Sequence, residues 1–112
     1  MNNLFVVAAA LLFSASICRG QNSAHAAKIP ENVEKLLQKH ACLACHKADA
    51  RVVGPAYMEV ARKKYTKEQI LELVYNPKPA NWPGYPPMTP MKHVPKEDVL
   101  VIAGWINSLV KK

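Results

Sequence analysis

The stretch Cys42-Leu43-Ala44-Cys45-His46 decides how the rest of the chain is read. Two thiols three residues apart can add to the two vinyl groups on one edge of a porphyrin, while the next side chain reaches under the ring to the iron. This C-x-x-C-H order is the attachment signature of a c-type haem. Histidine directly after the second cysteine separates it from a bare redox C-x-x-C. A disulfide between Cys42 and Cys45 would close too short a loop to constrain the unfolded chain much. A thioredoxin-like site would need a strand and a βαβ pattern beside the cysteines, and none is present. Zinc would ask for a further cysteine or a suitably placed histidine, and residues 27–112 hold no third cysteine.

Working outward from this motif, the chain divides in two. Leu4 to Ala15 reads LFVVAAALLFSA and is followed by small and polar residues ending in Ala24-His25-Ala26, an A-x-A cleavage pattern. The apolar run is too short for a permanent bilayer anchor. Residues 1–26 are therefore expected to be a cleaved signal peptide and residues 27–112 the mature domain. Ile17, just before Cys18, is too bulky for the small residue that lipoprotein processing favours, which argues against a lipidated Cys18.

The whole chain has 112 residues, half of them hydrophobic, with 15 Lys and Arg against 8 Asp and Glu for a formal charge of +7. That length makes one compact domain and excludes an enzyme that builds its own large substrate cleft. The positive charge is spread along the chain without a block of like charges, which favours an acidic protein partner over a nucleic-acid tail. A domain this small has little interior, and a bound porphyrin would add the apolar core it lacks.

Hydrophobic periodicity predicts only helices. Val33, Leu36, Leu37 and Ala41 recur at helical spacing after Pro30, giving a first helix over 31–41 that delivers Cys42 at its end, with Glu31 and Glu34 at its positive pole. A short helical piece follows Gly54-Pro55 over 56–63. Thr66 and Gln69 form a capping box that starts a helix over 67–75, with Ile70, Leu71 and Val74 as its buried stripe. Six prolines between 77 and 90 rule out regular structure there and make a stiff segment that carries Trp82, Tyr85 and Met88. The last helix runs over 96–110, with Pro95 at its first position, Glu97 and Asp98 in its first turn and Lys111 and Lys112 after its end. Val99, Ile102, Ala103, Ile106 and Leu109 make its inner face.

His46 supplies one axial ligand. For the opposite one the residues leave open Met58, Met88, Met91, His40, His93 or a water. His40 leads into the cysteines and suits a packing role, and Met58 suits the core. Met88 and Met91 lie on the proline-rich segment, where a neutral thioether would favour ferrous iron and raise the potential.

Taken together, Cys42-x-x-Cys45-His46, Val53-Gly54-Pro55-Ala56-Tyr57, Trp82 before Pro87-Met88-x-Pro90, and Ala103-Gly104-Trp105-Ile106 resemble a class I cytochrome c of the small bacterial monohaem periplasmic type. The resemblance spans about residues 30–110. It implies an all-α fold of four to five short helices wrapped around one covalent haem c. It also implies that the Pro55 carbonyl accepts from the His46 ring and that Trp82 donates to a haem propionate. Met88 would be the sixth iron ligand, because it stands 17 residues before Trp105 whereas Met91 stands 14 before it. The segment Trp82 to Met88 is one residue longer than the commonest pattern of these carriers.

The function so implied is a soluble, monomeric one-electron carrier in the periplasm, with His46 and Met88 holding the iron and no enzymatic activity. Lys39, Lys47, Lys92 and Lys96 would ring the exposed haem edge and steer acidic redox partners. The alternatives are a haem-bearing subunit of a larger oxidoreductase and a haem enzyme with a vacant sixth site.

Overall fold

The computed structural model describes residues 28–110. The expected signal peptide with its cleavage after Ala26, the question of Cys18, and the lysines closing the last helix all lie outside the described residues. Four α-helices follow one another: α1 (Glu31–Lys39), α2 (Tyr57–Arg62), α3 (Lys67–Tyr75) and α4 (Lys96–Ser108). Two short 3₁₀ turns, Cys42–Ala44 and Pro79–Asn81, stand between them, and no strand occurs among the described residues.

Each boundary has a local cause. Pro30 precedes α1 with φ −57°, a conformation its ring imposes, and Lys35 pairs with Glu31 at 2.6 Å along the outer face. The first helix stops at Lys39 instead of the expected residue 41, because Ala41 takes the left-handed conformation at φ 56°. That reversal turns the chain abruptly into the Cys42–Ala44 turn. Helix α3 has the expected bounds and its capping box closes in both directions: the Gln69 N–H donates to Thr66 Oγ1 at 3.1 Å, and the Thr66 N–H donates to Gln69 Oε1 at 2.8 Å. Pro95 is the residue before α4 rather than its first position, and the helix ends at Ser108, two residues short of the expected end.

The C-terminal helix is the hub. It packs against α1, α2 and α3, and its Ile102, Ala103, Trp105 and Ile106 join Val33, Leu37, Ala61 and Ile70 in one core. Leu37 is wholly buried, so truncating it to alanine would cost about 2–5 kcal/mol. A polar tie reinforces the contact between α1 and α4: the ring of His40, itself buried, meets Asp98 Oδ2 at 2.8 Å, and Lys39 reaches the same oxygen at 3.7 Å. This gives His40 the packing role its position suggested. It also gives Asp98 a task beyond its place at the positive end of α4.

Candidate functional site

Helices α2, α3 and α4 leave a cavity of about 530 Å³ between them, the Cys42–His46 stretch and the proline-rich segment. Cys42, Cys45, His46, Pro55, Trp82 and Met88, the six residues singled out from the sequence, all border it. Helices α3 and α4 contribute Ile70, Leu73, Val74, Val99, Ile102 and Ile106, a wall of branched aliphatic side chains. Pro77, Pro79, Pro86 and Pro87 form part of the facing rim. A volume of this size falls in the usual range for cofactor sites, roughly 300–1,000 Å³.

The chain after His46 folds back to hold that residue. The Gly54 N–H donates to the Cys45 carbonyl at 2.7 Å, and the Tyr57 and Met58 N–H groups donate to Lys47 and Ala48 carbonyls, each at 2.9 Å. This brings the Pro55 carbonyl to 2.7 Å from His46 Nδ1. A carbonyl can only accept, so Nδ1 carries the proton and the lone pair of Nε2 is left free. Burial pushes the His46 pKa down and the bond to Pro55 partly opposes it, which keeps the imidazole neutral and fit to bind a metal. The ring is braced on another side as well: it stacks on Tyr57 at 4.9 Å between centroids, and Tyr57 meets Trp105 of α4 edge-on at 5.4 Å.

Gly54 stands where only hydrogen fits. A Cβ built there would lie 2.6 Å from His46 Cε1 and 3.0 Å from Nδ1. Both cysteines are free thiols, Cys45 exposed and Cys42 half-buried, with burial raising the Cys42 pKa. An apolar cavity, two free thiols at its edge and one neutral imidazole with an open nitrogen form a donor set that fits an iron porphyrin and offers little to a bare metal ion. Among the described residues, no group of three or more His, Cys, Asp or Glu side chains could hold such an ion.

Of the candidates for the iron's other face, the structure brings Met88 and Met91 to the cavity wall and leaves the rest away from it. His40 is engaged with Asp98, His93 is exposed and borders no part of the cavity, and Met58 faces elsewhere on α2. Met88 is 40% exposed, whereas Met91 is more covered and its N–H donates to the Val74 carbonyl at 3.0 Å.

Sequence reasoning assigned no role to Tyr57 or Arg51. The spacing of Tyr57 from His46 carried no periodic signal, although it closes the motif that holds Pro55. Arg51 Nη2 donates to the Gly84 carbonyl at 2.7 Å, and its guanidinium lies 3.9 Å from the centre of the Tyr85 ring. Tyr85 in turn meets Trp82 edge-on at 5.9 Å, and Lys63 Nζ sits 4.8 Å from the Trp82 ring centre. Arg51 thus fastens the segment after His46 to the proline-rich segment across the cavity mouth. The exposed Val52 and Val53 lie beside it.

Comparison with known proteins places the chain. No protein-family profile matches it. The chain is 37% identical over 78 residues to cytochrome c-551 of Allochromatium vinosum, covering 66% of this chain and 82% of that one. It is 32% identical over 82 residues to cytochrome c-551 of Pseudomonas aeruginosa, covering 70% and 77%. Among solved structures it is similar to wild-type Nitrosomonas europaea cytochrome c552, with a TM-score of 0.63 at 30% identity over 69% of this chain and 99% of that one. Helices without strands among the described residues, a C-x-x-C-H turn on an apolar cavity and these relatives agree: the chain belongs to the class I cytochromes c, among the small single-haem electron carriers c-551 and c-552.

Proposed function

We propose that residues 27–112 act as a freely diffusing, monomeric one-electron carrier of the periplasm, released by removal of residues 1–26. The observation that carries the reading of the site is the His46 ring: its Nδ1–H is committed to Pro55 at 2.7 Å, so Nε2 is presented beside two free thiols in an apolar cavity. Haem c, when bound, supplies a ferric/ferrous couple that takes up and gives back one electron.

Every other contribution comes from the chain. Cys42 and Cys45 would form the two thioethers, at the separation set by the Cys42–Ala44 turn. His46 would bind the iron through Nε2. The Pro55 carbonyl sets the tautomer and makes the imidazole a stronger donor, as outer partners of metal-bound histidines do. Met88, flanked by prolines that lose little entropy on ordering, would hold the iron through its thioether. Trp82 would donate its indole N–H to a propionate. The branched side chains of α3 and α4 exclude water. Held by both His46 and Met88, the iron would offer no open position to a substrate, so the chain would work as a carrier and not as an enzyme.

The partners are redox proteins with acidic docking surfaces. Lys47, Lys92 and Lys96 are exposed and support this steering, as does Lys39, although Lys39 also reaches Asp98. Rates with a partner should fall as ionic strength rises, and rates indifferent to salt would refute the steering. Among the described residues, no helix is long and apolar enough to cross a membrane.

The ligand set is tested by the weak near-infrared sulfur-to-iron band of the oxidised protein. Met88→Ala should abolish it and Met91→Ala should leave it. Loss in Met91→Ala alone would move the ligand to Met91. Rapid stoichiometric cyanide binding by the wild-type protein at neutral pH would overturn a tight thioether bond altogether.

A further inference from the structure

The cavity wall is almost devoid of charge. Among the described residues that border it, Lys78 is the one Lys, Arg, Asp or Glu. It stands at the entry to the Pro79–Asn81 turn, where the Asn81 N–H donates to the Lys78 carbonyl at 2.9 Å and the Trp82 N–H donates to that of Pro79 at 3.0 Å. That turn sets Lys78 and Trp82 at the same end of the cavity. Lys78 also borders a smaller adjoining pocket of about 190 Å³, shared with Tyr65, Glu72 and Asn81. No carboxylate among the described residues comes within ion-pair distance of it. The nearby Glu72 accepts instead from Asn76 Nδ2 at 2.9 Å.

We infer that Lys78 is the counter-charge for a haem propionate, so that the Lys78–Trp82 turn is the carboxylate-binding end of the site. The inference rests on the haem reading above. An iron protoporphyrin has two faces of chemistry at its rim. Its vinyl edge is claimed by Cys42 and Cys45, and the opposite edge bears two propionates. A carboxylate brought against an apolar wall must find a cation or donors or else take up a proton. Lys78 is the cation that the wall offers. Trp82 and Tyr65 add donors at the same end, and Lys63, lying over the Trp82 ring with Nζ 3.5 Å from the Asn81 carbonyl, adds a second positive charge outside the wall. The charged and titratable groups around this end are therefore Lys63, Tyr65, Glu72 and Lys78, with Tyr85 and the Arg51 that covers it on the far side of Trp82.

A propionate held ionised by Lys78 does not change its proton content when the iron changes charge. With the lysine removed, its pKa rises toward neutrality and comes to depend on the iron's charge, so reduction takes up part of a proton. The test is the reduction potential of the intact haem protein measured across about pH 5 to 8, the window between an ordinary carboxylate and a desolvated one. Wild type should show a flat profile. Lys78→Gln should lower the potential and introduce a downward slope with rising pH, and Lys78→Arg should restore the flat profile. Lys35→Gln removes an equal charge from the outer face of α1, where it pairs with Glu31, and should leave the slope unchanged. Lys78 is exposed and makes no side-chain hydrogen bond among the described residues, so its replacement leaves the fold intact.

A Lys78→Gln profile superimposable on wild type would overturn the assignment, as would a new slope appearing equally in Lys35→Gln. Mass and Soret absorption of the wild-type protein separate this from the underlying reading. Their failure to show covalent haem overturns both, whereas haem present with an unchanged Lys78→Gln profile overturns the role of Lys78 alone.

Discussion

Replacing Gly54 by alanine adds one methyl group beside the imidazole of His46. The new carbon would stand 2.6 Å from Cε1, 3.0 Å from Nδ1 and 3.1 Å from Nε2. Carbon atoms in contact rest at about 3.5 Å or more, so the ring must retreat by about 0.9 Å. It has little freedom to do so, because Pro55 holds Nδ1 at 2.7 Å and Tyr57 stacks on the ring at 4.9 Å. Forcing a methyl into such a place costs about 1–3 kcal/mol, and breaking the bond to Pro55 adds about 1 kcal/mol. The sum is a loss of about 2–4 kcal/mol. Gly54 is not among the residues with positive φ, so the loss comes from crowding and not from backbone strain. Guanidinium unfolding of the oxidised protein, followed by far-ultraviolet circular dichroism, should show the midpoint lower by about 1 M. Gly84→Ala is the matched control: its φ of +82° strains an alanine, but nothing lies within 4 Å of the added carbon, so it should cost about 1 kcal/mol. A Gly54→Ala loss no larger than that of Gly84→Ala would refute the placement of the His46 ring against the Gly54 backbone.

Three further outcomes are expected. Ala41→Gly should raise stability by about 0.5–1 kcal/mol in the same assay, because it relieves a left-handed alanine at φ 56° at a smaller cost in unfolded-state entropy; an unchanged or lower midpoint would contradict it. Gly104→Ala should also stabilise, by about 0.5–1 kcal/mol, since an alanine in the interior of α4 would meet only Lys67 Cδ at 3.8 Å; thermal unfolding should move up by several degrees. Arg51→Ala should cost about 1 kcal/mol after allowance for its exposure and should speed cyanide entry to the iron several-fold, because the mouth of the cavity loses its fastening to Gly84 and Tyr85. Stopped-flow traces identical to wild type would show that Arg51 does not hold the mouth shut.

Most of the architecture was legible because it is encoded locally. The capping box at Thr66 and Gln69 fixes α3 to the residue, and the Pro95 start with its acidic first turn announces α4. The motif Cys42-x-x-Cys45-His46 announces the cofactor by spacing alone. What escaped lies in two classes. The early end of α1 depends on Ala41 adopting a conformation that alanine disfavours, and no glycine marks the place. The other class is contact across long stretches of chain: His40 to Asp98 spans 58 positions and Arg51 to Gly84 spans 33, and periodicity says nothing about such partners. The two methionines illustrate the same boundary. Placement at the cavity separates Met88 and Met91 from Met58, but both remain on its wall.

The order of the elements along the chain has a consequence for assembly. Both thiols and the histidine lie in or just after the turn that follows the first helix, whereas Val99, Ile102 and Ile106 of the cavity wall come from the 13-residue helix that is the last element among the described residues. No intermediate lacking that helix can close the pocket. A porphyrin offered to Cys42 and Cys45 before that helix docks would therefore meet an open half-site. Docking of the terminal helix would complete the wall, and the contact of Asp98 with His40 would then tie that helix to the end of α1.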